Sequence, residues 1–423
     1  MARRTITNRD ARLLASIQVP GDKSLSHRAL IFAAISEGDS LVTGLGSGED
    51  VRRTIEAISA LGVSVEGPEI RSPGSSNWTE PTVPIDCGNS GTTMRLLAGV
   101  LSTSRVQATL IGDESLSGRP MDRLVAPLEA LGGRIVPSNG GTAPISVGGA
   151  TDVRGARFSI DIASAQIRSA FELAALAAPI PSVIDSPPGF RDHTERWLMA
   201  AGRGEWSTAT AFRINPGPLA PARYDVPGDP SSAAYLWAVA AIHRGSEVLT
   251  PNINLNPGRL GFLQVLGEMG AEVDAVVTGS IGGDPIGDVK VTGRTLRAVE
   301  ISGGLVASTL DELPLLAVVA AFAEGVTTVS NAEELRAKES DRIASTTAMI
   351  QALDGAIEPS PDGFQVVGTG FLGGGEVRSE GDHRIAMAAA VAGLRANGPV
   401  EIVGAECAAV SWPEFYETLE EMW

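Results

Sequence analysis

Cysteine is almost missing: Cys87 and Cys407 are the only two in 423 residues. So few thiols build neither a disulfide framework nor a cysteine-held metal site, and they suit a reducing compartment. Lysine is nearly as scarce, with Lys23, Lys290 and Lys338 set against thirty arginines. Aromatic residues make up 4%, so the cores must be filled by aliphatic and small side chains that let helices pack closely. No apolar run approaches the roughly 20 residues of a membrane span. The first ten residues, MARRTITNRD, carry arginines but no hydrophobic stretch behind them, unlike a secretory signal. Positive charge is also in deficit. A net charge of −17 argues against nucleic acid or an anionic membrane as a partner. Any anionic ligand needs a local basic pocket that the overall charge conceals, and the cytoplasm is the expected location.

What is present is globular and repetitive. Hydrophobic residues at 43% and charged residues at 20% fit an ordinary folded chain, and the length exceeds what one core organises, implying two or three domains. Gly62, Gly132 and Gly202 stand seventy residues apart, each closing an apolar-periodic stretch and opening an alternating one. Gly270 continues the series, and Asp354 takes the glycine slot in Leu353-Asp354-Gly355. The pattern predicts helices closed by a left-handed residue and followed by strands, in six units, three to each half. A second repeat relates the halves: VPGDKSLSHRALIFAAISEG from Val19 and VPGDPSSAAYLWAVAAIHRG from Val226. Both predict a glycine turn, a serine-rich cap and a helix ending near Gly38 or Gly245. Domain boundaries are therefore expected just before each copy, giving 1–19 with 225–423 as one domain and 20–224 as the other. Segment 13–19 reads as a strand that pairs with either half. Ser231–His243 and Pro314–Glu324 are apolar on nearly every face, which predicts buried helices and outer sheets.

Chemistry concentrates at predicted helix starts, where free backbone N–H groups and the helix dipole favour anions. Gly21 to Arg28 places a turn, Lys23, Ser24, Ser26, His27 and Arg28 at such a start; an ammonium there can bind phosphate and exchange a proton, whereas a guanidinium stays charged. Cys87 to Arg95 holds Gly91 and Thr92 at a second. Gly112 to Met121 predicts an exposed loop with Arg119 before a proline-initiated helix. Ser164 to Ala170 offers Ser164 and Gln166, and Ser186 to Thr194 is a polar loop carrying Arg191. Asp311 precedes a buried helix, as an N-cap or as a general base. Glu333 to Arg342 reads as a helix with Lys338 and Arg342 on one face and Glu339 beside them: either a solvated face with i,i+4 pairs or an anion cradle with a proton donor. Gly381 to Met387 sets His383 and Arg384 at the mouth of another buried helix. Each cluster alone is open to a structural reading; seven in one acidic chain point to anionic substrates.

Taken in order, PGDKSLSHRAL, GNSGTTMR, GDESLSGRPM, SAQIRSA, RDHTE, LDELPLLA, LRAKESDRI and GDHRIAMA resemble the signature series of the 5-enolpyruvylshikimate-3-phosphate synthase family, over residues 13–420. The resemblance implies an α/β fold, a two-domain inside-out α/β barrel with three βαβαββ-type repeats per domain and an active site in the cleft between them. It implies joining phosphoenolpyruvate to the 5-hydroxyl of shikimate 3-phosphate with release of phosphate, by a monomer, without metal or organic cofactor. Lys23, Ser24, Arg28, Ser164, Gln166, Arg191, Asp311 and Lys338 would then hold shikimate 3-phosphate. Lys23, Gly91, Thr92, Arg119, Gln166, Arg342, His383 and Arg384 would hold phosphoenolpyruvate. Asp311 would take the hydroxyl proton, and Glu339 or Lys23 would protonate the methylene carbon.

The chain departs from many relatives at Leu96, Ala165, Glu334 and Val410, where Pro, Ser, Asn and Lys are common. Such departures are similar to the branch less sensitive to glyphosate, although Gly91 is retained; typical to moderately reduced sensitivity is expected. The nearest rival, UDP-N-acetylglucosamine enolpyruvyl transferase, usually has a reactive cysteine in the loop corresponding to Gly112–Met121 and Asn at position 24. This chain has no cysteine in that loop and Ser24 at that position. A non-catalytic binding protein would not require Lys23, Asp311, Glu339 and Arg384 together.

Overall fold

Alanine-rich stretches opened by a short acidic or hydroxyl side chain become the central helices of the protein. The computed structural model describes residues 1–9 and 11–423. It divides into two units, one made of residues 1–20, 227–279 and 285–423, the other of 21–226 and 280–284. Each unit is built on three nearly fully buried helices: Lys23–Ile35, Gly91–Ser102 and Ala165–Ala175 in one, Pro230–Ile242, Leu313–Ala321 and His383–Gly393 in the other. Every residue of the last three helices is buried. In the first three, the residues that escape burial sit at the mouths: Lys23 and Ser24, Thr92 and Arg95, Ala165 and Gln166. Burial of the helix bodies thus leaves only their N-terminal turns for ligands.

Three sheets cover each set of helices. In the unit of residues 21–226, the strands Ile85–Asp86, Gln107–Ile111, Ile135–Pro137 and Ile145–Gly148 form one four-stranded sheet, and Arg157–Ser159, Ser182–Asp185, Gly204–Trp206 and Ala211–Ile214 form another. With their helices these read βαβαββ, a parallel pair extended by an antiparallel hairpin. The third sheet borrows its first strand: Arg223–Asp225 pairs in parallel with Glu37–Thr43. In the other unit Leu14–Ser16 plays that part beside Glu247–Asn254, which settles the partner of segment 13–19. The last sheet of that unit has three strands, with Arg3–Ile6 antiparallel to Val400–Val403.

The periodic glycines act as expected. Gly62, Gly132, Gly202 and Gly270 all have positive φ, and so does Asp354 at 56°; a strand follows each. The caps correct the sequence reading. Asp22 accepts from the Leu25 amide at 2.8 Å and Asp229 from the Ser231 amide at 2.8 Å, so aspartate, the fourth residue of each VPGD copy, caps the helix in place of the serines behind it. Helices Gly91–Ser102 and Ala165–Ala175 meet at Gly99, where a Cβ would lie 2.4 Å from the Ala170 carbonyl oxygen. Segment 280–284, which no sequence signal had separated, is the tip of a hairpin turned by Gly282 and Gly283, both left-handed. Its Asp284 accepts from Trp197 Nε1 at 3.2 Å and lies 3.0 Å from His193 Nδ1.

One polar cluster lies inside the unit of residues 21–226. Arg168, Glu172 and Glu195 are at most 1% exposed; Arg168 Nε donates to Glu195 Oε1 at 2.7 Å, and its Nη2 is 3.6 Å from Glu172 Oε1. Burial, reinforced by the charge of Glu195, raises the Glu172 carboxyl well above the ordinary range, against the pull of Arg168. The folded protein therefore keeps a proton that the unfolded chain releases above about pH 4.3, so stability falls as pH rises beyond that point. Glu172→Gln imitates the protonated form. Its melting temperature is expected to match wild type near pH 4.5 and to exceed it at pH 8; equal melting curves at pH 8 would show that Glu172 is ionised in the fold.

Candidate active site

In the unit of residues 21–226 the helix mouths form two adjoining groups that share the helix Ala165–Ala175. The first is an anion cradle. Ser90 caps Gly91–Ser102, leaving Gly91 and Thr92 at the opening. Arg95, one turn in, donates from Nη1 to Gln166 Oε1 at 2.7 Å, and Gln166 Nε2 donates to Thr92 Oγ1 at 3.0 Å. Arg119 donates to Asn89 Oδ1 at 2.7 Å and Ser115 Oγ at 3.2 Å. A Cβ on Gly91 would be 2.7 Å from Arg95 Nη1 and 3.5 Å from Arg119 Nη1, so both guanidiniums converge on the bare glycine. Two fixed cations, a helix dipole and a hydroxyl around one small residue suit a carboxylate or phosphate.

The second group centres on Arg28, buried at 4% exposure. Its Nε donates to Thr194 Oγ1 at 2.8 Å, its Nη2 to Ser169 Oγ at 3.0 Å and its Nη1 to the Ser24 carbonyl at 3.0 Å. Ser164 caps the shared helix, and Arg191 lies half-buried in the loop 186–192. Lys23 Nζ is 3.0 Å from Asp50 Oδ2 with about a quarter of its side chain exposed. Behind it, His27 Nδ1 meets Thr54 Oγ1 at 2.6 Å, Thr54 meets Thr93 at 2.6 Å, and Thr93 meets Ser90 at 2.7 Å. Burial, with Lys23 and Arg28 adding to it, drives His27 well below its ordinary value, so the imidazole is neutral and structural.

In the other unit one cation organises the acids. Arg342, 1% exposed, donates from Nη2 to Glu339 Oε2 at 2.7 Å and from Nε to Asp382 Oδ2 at 2.8 Å, while its Nη1 reaches Asp311 Oδ1 at 3.4 Å. Asp382 also caps His383–Gly393 through the Arg384 amide at 2.8 Å and accepts from Ser340 Oγ at 3.0 Å. Arg384 Nη1 lies 3.6 Å from Glu312 Oε1. Burial opposes the charge on both arginines, but it is outweighed and their pKa raised, by Glu339, Asp382 and Asp311 at Arg342 and by Tyr235 with Asp311 and Glu312 at Arg384. Arg342 and His383 likewise outweigh burial at Asp382 and hold its carboxyl below the ordinary value. Asp311 and Glu339, about a fifth exposed, are the two carboxylates of this cluster that solvent or substrate reaches.

Three local expectations need correction. Asp311 does not cap the buried helix: Glu312 occupies the cap position of Leu313–Ala321 without a side-chain bond, and Asp311 turns to Arg342 instead. The run Glu333 to Arg342 is no continuous helix. A 3-10 turn covers Glu333–Ala337, Lys338 is extended, and a new helix begins at Arg342 under Asp341. Lys338 keeps its bond to Glu334 at 3.1 Å, but it and Arg342 share no helical face. Pro120 starts no helix either; the next turn opens at Asp122.

Sequence reasoning missed four participants. Arg95 and Asn89 stand inside a quoted motif, and their spacing from Gly91 was the available signal. Asp382 stands inside the Gly381–Met387 cluster beside the residues singled out there, and Asp50 carried no signal, being brought to Lys23 by the second helix of its repeat. Cys87 is buried, and burial pushes its thiol up to about 12, which rules out a reactive thiolate. Among the described residues, no group of three His, Cys, Asp or Glu is placed to hold a metal ion, and no helix is long and apolar enough to cross a membrane.

Buried helices under outer sheets in both units, with cationic helix mouths in one and paired carboxylates in the other, define a transferase of the enolpyruvyl transferase fold. The enolpyruvyl transferase NikO from Streptomyces tendae superposes with a TM-score of 0.79 over 99% of this chain and 96% of its own, at 16% identity. An EPSP synthase from Acinetobacter baumannii superposes at 0.89 with 37% identity, covering 99% and 98%. The 3-phosphoshikimate 1-carboxyvinyltransferase of Chloroflexus aurantiacus is 44% identical over 419 residues, 96% of each chain, and that of Halorhodospira halophila is 42% identical over 411, covering 96% and 93%. The family model for EPSP synthase (3-phosphoshikimate 1-carboxyvinyltransferase) matches residues 7–419, and the chain belongs to that family.

Proposed function

We infer that this chain transfers the enolpyruvyl group of phosphoenolpyruvate to the 5-hydroxyl of shikimate 3-phosphate and releases inorganic phosphate. The observation that carries the reading is Arg342 holding Asp311 and Glu339 at once: two carboxylates fixed by one guanidinium, with Asp311 placed to accept a proton. Asp311 takes the hydroxyl proton as the oxygen bonds to C2 of phosphoenolpyruvate, while Glu339 or Lys23 gives a proton to C3. The resulting tetrahedral adduct then loses a proton from C3 as its C–O bond to phosphate breaks, which restores the double bond. Atoms and charge balance without a cofactor, and none is assigned.

Gly91, Thr92, Arg119 and Gln166, joined by Arg95, bind phosphoenolpyruvate together with Lys23, Arg342, His383 and Arg384. Lys23, Ser24, Arg28, Ser164, Gln166, Arg191, Asp311 and Lys338 bind shikimate 3-phosphate. Such charge-assisted contacts are the strong ones, and reactants held by them gain the orientation that bimolecular addition needs. On this reading the chain is a two-domain cytoplasmic monomer with typical to moderately reduced sensitivity to glyphosate.

Phosphate release from phosphoenolpyruvate, measured with shikimate 3-phosphate and separately with UDP-N-acetylglucosamine, tests the assignment. Turnover with the first acceptor alone is expected; turnover with the second alone would reassign the chain, and none with either would make it a binding protein. Gly91→Ala is expected to push Arg95 aside and raise KM for phosphoenolpyruvate about tenfold, the equivalent of about 1.4 kcal/mol, with KM for shikimate 3-phosphate within twofold. Equal changes in both would place Gly91 outside the phosphoenolpyruvate cradle.

A further inference from the structure

A buried arginine that touches no candidate ligand position sits between the two arginines assigned to shikimate 3-phosphate. Arg168 is fully buried; its Nε and Nη1 are hydrogen-bonded, while Nη2 makes no hydrogen bond. Nε bonds Glu195 at 2.7 Å; Nη1 donates to Ser186 Oγ at 2.9 Å and to the Thr210 carbonyl at 3.2 Å; Nη2 faces Glu172 at 3.6 Å. Its carbon centre lies 4.3 Å from the centre of the Phe190 ring and 5.3 Å from that of Trp206. The two rings are 6.2 Å apart. A planar cation with donors on its rim and a face for aromatic rings is what this site uses, and an ammonium offers neither geometry.

The parts it joins are those that place the ligands. The loop 186–192 carries Pro187, Pro188 and Gly189 exposed to solvent, with Gly189 left-handed at φ 97°. Ser186 at its start and Phe190 before Arg191 both rest on Arg168. On the other side, the next residue of each helix holds Arg28: Ser169 follows Arg168, and Thr194 precedes Glu195. The hydroxyls of Ser169 and Thr194 also bond each other at 2.7 Å. Two adjacent polar layers thus cross the same helix pair, one seating Arg28 and the other seating the loop of Arg191. A buried ion pair is seldom retained for stability, because apolar packing of the same volume does as well; setting the geometry of neighbouring groups is a role that apolar packing does not fill.

We propose that Arg168 is a positioning residue that fixes Arg28 and Arg191 at the spacing required by shikimate 3-phosphate. It acts through Phe190 and Ser186 on one side and through the Ser169–Thr194 pair on the other. The proposal rests on the assignment of Arg28 and Arg191 to that substrate.

The test uses the full chain, calorimetric binding of shikimate 3-phosphate, and steady-state KM for phosphoenolpyruvate. Phe190→Leu removes the ring from the guanidinium and leaves every charge paired. It is expected to weaken shikimate 3-phosphate binding five- to tenfold, with KM for phosphoenolpyruvate within twofold and the melting temperature little changed. Arg168→Gln combined with Glu195→Gln, which removes both partners of the ion pair, is expected to weaken it ten- to thirtyfold. In an Arg191→Ala background Phe190→Leu should add less than twofold, since the residue it positions is gone. Wild-type affinity in Phe190→Leu, equal losses for both substrates, or an undiminished effect in the Arg191→Ala background would each overturn the proposal. A wild-type chain that does not bind shikimate 3-phosphate overturns the functional assignment as well, and an Arg191→Ala variant of wild-type affinity overturns the ligand role of Arg191; both differ from a failure of Arg168 alone.

Discussion

Asp311→Asn is expected to lower kcat by about 10²–10⁴-fold, the usual contribution of a positioned general base, while KM for both substrates stays within about threefold. The substitution isolates proton transfer. Asparagine keeps an oxygen where Arg342 Nη1 approaches at 3.4 Å, so the cation and its other carboxylates have no reason to move. Asp311 is not the cap of the helix behind it, so the cap position of that helix is untouched. What disappears is a group able to accept the hydroxyl proton as the new C–O bond forms. The decisive measurement is phosphate release at saturating substrates, with the melting temperature as control. A variant turning over within tenfold of wild type would end the assignment of Asp311 as the base and leave Glu339, on the same guanidinium at 2.7 Å, as the group to test next.

The sequence made legible what depends on short-range rules. Left-handed glycines, together with Asp354, mark helix ends because few other residues tolerate that backbone. The apolar helices Pro230–Ile242 and Leu313–Ala321 declare their burial because no polar face is available to solvent. The helix mouths could be picked out because a charged cluster directly before an apolar run has few other uses. What stayed hidden depends on contacts between distant segments. Arg3–Ile6 pairs with Val400–Val403 almost four hundred residues away, and four residues of mixed polarity give no signal of that. The dense charges of Glu333 to Arg342 suggest i,i+4 ladders, yet Asp341 begins a new helix there because Arg342 must turn inward to Asp382. Arg168 does not stand out in the segment Ser164 to Ala170, since nothing local reveals that Phe190 and Glu195 close over it.

Arg342→Gln should show how far catalysis and stability share one residue. Asp382 is fully buried, caps the helix His383–Gly393 and lies 2.8 Å from Arg342 Nε. Removing one partner of such a pair strands the other, at a typical cost of about 3–5 kcal/mol, or on the order of 10 °C in melting temperature for a domain of this size. The pH dependence should change sign as well. In the wild type, Arg342 and His383 hold the Asp382 carboxyl below its ordinary value, so its contribution is present above about pH 3.9 and is lost as pH falls through the folded value. Without Arg342, burial acts with less opposition and raises the carboxyl; stability is then lost as pH climbs above about 3.9. Adding Asp382→Asn removes the stranded charge and should recover most of the melting temperature. Turnover should stay at least 10³-fold down in both variants, because Asp311 and Glu339 have lost the cation that sets their positions. Recovery of activity together with stability would show that Arg342 serves the fold alone. Stability regained without turnover would place one guanidinium at the centre of both.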